Sequence, residues 1–561
     1  MIMVLINWLY IAITSLLAGF AVLSLYCLIF GTKINSVKPC IWAGLVVNTV
    51  FAQVWSLFGG VGLAANIVLS LICLIIFVLK RKDILELLYD AREKTAEVKA
   101  MPVIYAALII LFSYGTSRGY IHFDTSLYHA QSIRWIEEYG VVKGLASLQV
   151  RFGYNSSAFA LTALYSFKDI LGQSLHTTSG FFALLGIFHV SDVYRSFVEK
   201  KVRFSDFIRL GLLFYLGLIF REMTSPASDY YAQILIFSIL IMWLDALDEE
   251  KENEKAGAYP FAMISILLVY AATVKFSIAL LVLLAVKPAV MMIKGKQVKQ
   301  TLASLLGGIL VLVPFFIRNY LISGWLIYPS TIIDIFNPDW KIPKWMAEYD
   351  AVEIGVYGKG IKDISKQNMP LSEWLPPWFS EMSLIEKGWV CLTVIAIIGG
   401  AVYFVWKLCR KKADKDRLLV WAVMTIGCLF WFFSAPLVRY GYGYLTCLPL
   451  LFDGMLCFEL TEKSGDKKSL YISYFLIFAL FGVYRIKTMG YDIYTTIKEP
   501  YYIAQKDYTD WDATKYNLDG QTIYVPIENG MIGYNQFPAS IFVDDIELRG
   551  TDFKDGFRFK Q

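Results

Sequence analysis

The sequence predicts an all-α integral membrane protein, and three observations carry that expectation. Of 561 residues, 57% are hydrophobic and only 18% are charged, with a mean hydropathy of +0.53. Such a balance places most of the mass in lipid and excludes an ordinary soluble globule. The apolar residues gather into stretches near the length a crossing helix needs, about 20 residues or about 17 at the short end. Clusters of Lys and Arg recur between these stretches, the bias that orients membrane proteins.

The stretches fall at 5–30, 39–58, 61–79, 101–117, 176–195, 205–221, 229–246, 259–274, 276–293, 301–321, 387–408, 417–434, 441–460 and 468–487, so about 14 transmembrane helices are expected. The first lacks a basic leader and a small-residue cleavage site, and reads as a retained spanning helix. The segment 156–167 is apolar but too short to cross. It reads as re-entrant or interfacial. With that segment not crossing, Lys80 to Lys82, Lys200 to Arg203, Lys294 to Lys299, Arg410 to Lys415, and Lys467 with Lys468 all fall on one side. The positive-inside rule makes that side the cytoplasm.

The opposite, extracytoplasmic face collects 118–175, Arg221 to Asp229, Lys275, 323–386, Arg439 to Tyr444 and the tail 488–561. The domains expected are N-terminal transmembrane helices at 1–100 and a transmembrane core at 101–345 with its first outer loop at 118–175. An outer loop at 346–386, transmembrane helices at 387–487 and a small extracytoplasmic domain at 488–561 complete the chain. The tail shows short β-like runs, Thr522 to Val525 and Ser540 to Val543, broken by Pro and Gly.

Several chemistries are excluded. The net charge is +5 without a long basic tract, so nucleic acid is not an expected partner. The eight cysteines lie in or beside apolar stretches and form no disulfide framework or zinc motif. Gly59-Gly60-Val61-Gly62 joins two apolar stretches without a βαβ unit, and Gly358-Lys359-Gly360 lacks the P-loop pattern. A sugar donor for this chain is therefore expected to be lipid-linked rather than a nucleotide sugar.

The most informative segment is HFDTSLYHAQSIRWIEEY, residues 122–139. Leu127, Ala130, Ile133 and Ile136 recur every three residues beside Tyr128, Trp135 and Tyr139, which predicts an amphipathic helix in the membrane plane. Asp124 opens it. An aspartate there caps a helix well. It also suits a general base within reach of a hydroxyl. His122 and His129 flank it as interfacial groups or as ligands of a divalent metal, although no third ligand completes a set at the usual spacing. Arg151, Lys275, Arg318 and Arg439, with Tyr440 beside the last, share the outer face. They either snorkel at helix ends or hold a phosphate or pyrophosphate. Asp229 starts a helix after TSPAS, as a cap or as a second carboxylate. Asp334, Asp339, Trp340, Trp374 and Trp378 suit either a carbohydrate surface or an interfacial belt.

This layout resembles the GT-C class of integral-membrane glycosyltransferases. More closely, DTSLYHAQSIRWIEEYG, RFGYNSS, TSPASDYYA, TVKFS, RNYLISGWLIYP and SAPLVRYGYGY resemble an uncharacterised family of bacterial multi-pass membrane proteins. The GT-C resemblance implies an outer-loop acidic residue beside amphipathic helices, a polyprenyl-phosphate-linked donor and an envelope glycan or lipid acceptor. It implies Asp124 as the base, with Lys275, Arg318 and Arg439 neutralising the departing phosphate and His129 and Arg134 positioning substrate. The chain departs from the class where Thr125 and Ser126 follow Asp124 instead of a second acid, so Asp229 or Asp339 would have to converge. A polymerase of lipid-linked repeat units, a lipid-linked glycan flippase and a non-catalytic envelope scaffold are the competing readings.

Overall fold

Residues 1–252, 257–465, 467–528 and 530–560 are described in a computed structural model. The chain begins with α1 (Ile2–Phe30) and α2 (Val37–Trp55), packed along their length. Glycine makes that approach possible: a Cβ on Gly19 would collide with the Cys40 carbonyl, and one on Gly44 with that of Ser15. Small residues serve membrane helices in this way because lipid supplies no hydrophobic drive for association. α3 (Leu63–Ala96) bends at Lys80 (φ −117°, ψ 17°), where its apolar part ends, and continues as a polar helix.

α4 (Met101–Ser117), α5 (Ala130–Glu138), α6 (Ser157–Leu164), α7 (Lys168–Leu171), α8 (Thr178–Val198) and α9 (Ser205–Ile219) follow. α10 (Ser228–Glu252) is the central helix. It is apolar on nearly every side and packs against α8, α9, α18 and α11 (Tyr259–Val274), as expected for a helix without a solvent stripe. Residues Phe276–Ala285 form a 3₁₀ helix leading into α12 (Val286–Lys294). Then come α13 (Val298–Ser323), α14 (Lys344–Gly358), α15 (Leu371–Glu381), α16 (Leu384–Cys409), α17 (Lys415–Ser434), α18 (Val438–Ser464) and α19 (Lys468–Lys498).

This is a multi-pass membrane architecture. Each of the expected stretches is largely helical, and among the described residues 11 helices are long and apolar enough to cross a bilayer. The other three expected spans are shorter: α4 has 17 residues, α9 15 and α11 16. The bundle has two distinct ends. Lys201 with Glu252, Lys251 with Asp414, and Lys287 with Glu250 and Asp416 gather at the basic end. At the other, the Met1 amine donates to the carbonyls of Tyr501 (2.8 Å) and Ala504 (3.1 Å), so α1 starts where α19 finishes.

One expectation about the 118–175 loop is corrected and one is narrowed. Its helix does not lay its apolar face on lipid. In α5 both faces are covered, with only Arg134 and Glu138 partly open, because α6 packs on one side and the C-terminal tail on the other. Trp135 sits among Phe537, Phe553 and Phe557 of the tail. α6, expected to be re-entrant or interfacial, is buried at every position among α2, α5, α10 and α11.

The tail is a small β unit. β1 (Ala513–Leu518) pairs antiparallel with β2 (Gln521–Pro526), and β3 (Ile546–Leu548) with β4 (Phe557–Phe559). Ser540 to Val543 is not a strand. Ser540 Oγ and the Ile541 amide both donate to the Leu148 carbonyl, so this run is spent on docking to the loop.

Candidate functional site

Three chain segments, joined by Lys275 from the end of α11, assemble the site. The first is 115–129. The turn Thr224-Ser225 grips it by the backbone: Thr224 Oγ1 donates to the Arg118 carbonyl, the Tyr120 amide to the Arg221 carbonyl (2.8 Å), and the His122 amide to Ser225 Oγ (2.7 Å). The Thr224 and Ser225 hydroxyls therefore position the Asp124 loop. Gly119 (φ +127°) completes the grip, since a Cβ there would strike the Arg221 carbonyl.

Asp124 is not a cap. It precedes a single π-type turn, Thr125–His129, with helical φ and ψ and no side-chain cap bond. Its carboxylate reaches across the bundle instead: Arg439 Nη2 donates to Oδ2 at 2.5 Å. Oδ1 accepts no hydrogen bond from any described residue. The other segments are the first turns of α10 and α18, which bring Asp229, Arg439 and Tyr440. Helix N-termini carry partial positive charge, so both favour anions at this spot. Gln233 fixes the start of α18, accepting from the Gly443 amide (2.6 Å) and donating to the Tyr440 carbonyl (2.9 Å).

Asp229 binds Lys275, which enters from the break between α11 and the 3₁₀ segment, and lies 3.4 Å from Arg439 Nε. That Nε is buried without a hydrogen bond. Lys275 also stands 4.1 Å from the Tyr440 ring centre, and Arg439 Nη2 donates to Tyr440 Oη (3.2 Å). The result is two carboxylates and two cations in alternation, each charge beside its opposite.

His122 joins the array with Nε2 at 2.8 Å from Arg439 Nη1. A guanidinium only donates, so Nε2 accepts, and the Asp124 amide donates to Nδ1 (3.1 Å), which lies 3.9 Å from Asp124 Oδ2. His129 is buried one layer behind, within reach of Thr125 Oγ1 (3.2 Å). Burial first, then His122, Lys275 and Arg439, hold its imidazole well below the usual pKa, so it stands there neutral. The Tyr128 hydroxyl faces the same charges. Burial, then Asp124, raises it well above the usual phenol value. Sequence reasoning missed Tyr128 as a site group and left His122 an interfacial residue. Only their positions, four residues after Asp124 and two before it, hinted otherwise.

Three expected members lie elsewhere. Arg318 is buried against Asn155 Oδ1 (3.0 Å) and Ser56 Oγ, as a tie between α13 and the end of α2. Arg134 holds the tail, donating to the Tyr534 carbonyl (2.8 Å) and lying 4.5 Å from the Phe537 ring centre. Arg151 pairs with Glu353 of α14 (3.2 Å). The second carboxylate is Asp229, whereas Asp339 pairs with Arg549 and Arg558 near the tail. Trp374 and Trp378 are buried against Phe432 and Trp431, which removes them as sugar platforms. Gly60 has a packing role. It lets the chain pass the Glu137 carbonyl, where a Cβ would collide. Among the described residues no group of three His, Cys, Asp or Glu side chains could hold a metal ion. At the array, cations occupy the carboxylates instead.

Residues 1–446 match a family described as a domain of unknown function (DUF8201). The chain belongs to this family. The matched region contains every residue of the array and stops before the tail that packs against α5. No curated protein and no solved structure matches the chain.

Proposed function

We propose that this family member is a GT-C-like glycosyltransferase, moving a sugar from a polyprenyl-phosphate-linked donor to an envelope glycan or lipid acceptor at the extracytoplasmic face. The observation that carries this reading is Asp124. Among the described residues it makes no capping bond, its Oδ1 accepts no hydrogen bond, and it stands at the bundle end away from the basic loops, paired with Arg439.

In this scheme the acceptor hydroxyl gives its proton to Asp124 Oδ1 as its oxygen attacks the anomeric carbon. The bond from that carbon to the donor phosphate oxygen breaks, and the electron pair leaves with the phosphate. Proton transfer by a positioned carboxylate contributes about 10²–10⁴-fold. Arg439 and Lys275 meet the charge that develops on the leaving phosphate. Arg439 suits this best, because a guanidinium can meet a phosphate with paired donors. Tyr440 and His122 orient the guanidinium.

The test is Asp124→Asn, which keeps shape and removes the base. In cells lacking the wild-type chain, the variant should reach the membrane at normal level and leave the envelope glycan lacking one sugar. An unchanged glycan profile with normal membrane level refutes the assignment.

A further inference from the structure

The loop between α13 and α16 carries apolar side chains in the open. Ile332 is 91% exposed, Ile335 66% and Trp345 65%, and Ile333, Phe336 and Tyr349 are exposed as well. Large exposed apolar patches on a soluble surface mark an interaction site. These six residues form one patch. Thr331 Oγ1 donates to Glu348 Oε1 (3.1 Å), which ties 332–336 to the α14 turn that presents Trp345 and Tyr349. The other side of that turn, Met346, Ala347 and Asp350, is buried.

What covers the patch follows from where it joins the bundle. Phe336 packs on Tyr320 of α13, with ring centres 4.9 Å apart. Tyr320 stands one turn beyond Ile317 and two beyond Val313, both exposed on the flank of a helix that is apolar and long enough to cross the membrane. The patch therefore continues the lipid-facing stripe of α13 past its end. Its charges are offset locally: Asp334 pairs with Lys341, and Glu348 lies 3.8 Å from Lys344. A Trp and a Tyr one helical turn apart are the side chains that favour the headgroup level.

We infer that Ile332 to Phe336 and the Trp345–Tyr349 face of α14 seat in the bilayer interface as a lipid-docking surface of this loop. The inference needs only the membrane architecture and is independent of the proposed glycosyl transfer. It has a consequence for the site. The inner face of α14 places Asp350 on Tyr154 Oη (2.9 Å), and the Tyr154 ring stands 5.6 Å from that of Tyr128 at the array. One short helix thereby links the lipid surface to the ionic site.

The experiment places the photo-crosslinker p-benzoylphenylalanine singly at 332 and at 345 in the full-length protein, reconstituted in phosphatidylcholine vesicles. Position 309, on the exposed flank of α13, is the lipid reference. Position 362, an exposed lysine of the same loop, is the aqueous reference. Phospholipid adducts at 332 and 345 should match the yield at 309 and exceed that at 362 several-fold. Yields no higher than at 362 overturn the inference. Chain-to-chain adducts at 332 and 345 overturn it as well, by giving the patch to a second copy. A substitution that leaves the chain misfolded is recognised by loss of monodispersity in size exclusion, and the neighbouring positions 335 and 349 then carry the test.

Discussion

Replacing Lys275 by Met should destabilise the folded chain through the charge it leaves behind. The Asp229 side chain is 8% exposed and has two cationic neighbours, Lys275 in direct contact and Arg439 Nε at 3.4 Å without a hydrogen bond. Breaking a buried pair by removing one partner costs about 3–5 kcal/mol. Two features pull the value down. Lys275 is one-fifth exposed, so water can reach the gap, and Arg439 still offsets part of the carboxylate. A loss of about 2–3 kcal/mol is expected. Removing both charges in Lys275→Met/Asp229→Asn should restore much of it, with a coupling of about 1–3 kcal/mol between the two sites. Lys201→Met, which breaks a pair exposed on both sides, should leave stability unchanged. The assay is reversible SDS unfolding in mixed micelles, followed by tryptophan fluorescence. The reasoning is refuted if the two single changes add without coupling, or if Lys201→Met costs as much as Lys275→Met.

Three further outcomes are expected. Gly119→Ala should lower the thermal midpoint measured by size exclusion, since a side chain at φ +127° strains the backbone by about 1–3 kcal/mol and strikes the Arg221 carbonyl. Arg134→Gln should speed tryptic cleavage within 488–561, because it removes the side-chain ties to the Tyr534 and Asn535 carbonyls; an unchanged digest would show that the aromatic contacts of Trp135 hold the tail unaided. Burial raises Asp350 to about 6 from the usual 3.8, against the pull of the Tyr154 and Tyr328 hydroxyls and Arg151. The folded state then holds its proton more tightly than the unfolded chain, so the contribution is full below about pH 4 and is lost as pH rises through about 6, up to about 3 kcal/mol. Asp350→Asn should flatten that slope in unfolding midpoints measured from pH 4 to 7.

The sequence by itself determined the membrane class, the helical stretches and the two unlike ends of the bundle. Each rests on composition or spacing that survives any packing: a run of apolar residues is long enough to cross lipid whatever its neighbours are. The candidate groups Asp124, Asp229, Lys275, Arg439 and Tyr440 were legible for the same reason, as polar groups at the edges of apolar runs. The purpose of the amphipathic pattern in 127–139 was not. A stripe of apolar residues says that a face is covered, and tail residues 400 positions away, Tyr534 and Phe537, do the covering instead of lipid. Nor could spacing separate Arg439, which crosses to Asp124, from Arg318, which stays with Asn155 and Ser56. Which carboxylate meets which cation depends on how α10 and α18 pack, and only tertiary structure decides that, because an ion pair acts over a few ångströms between residues that the chain places hundreds apart.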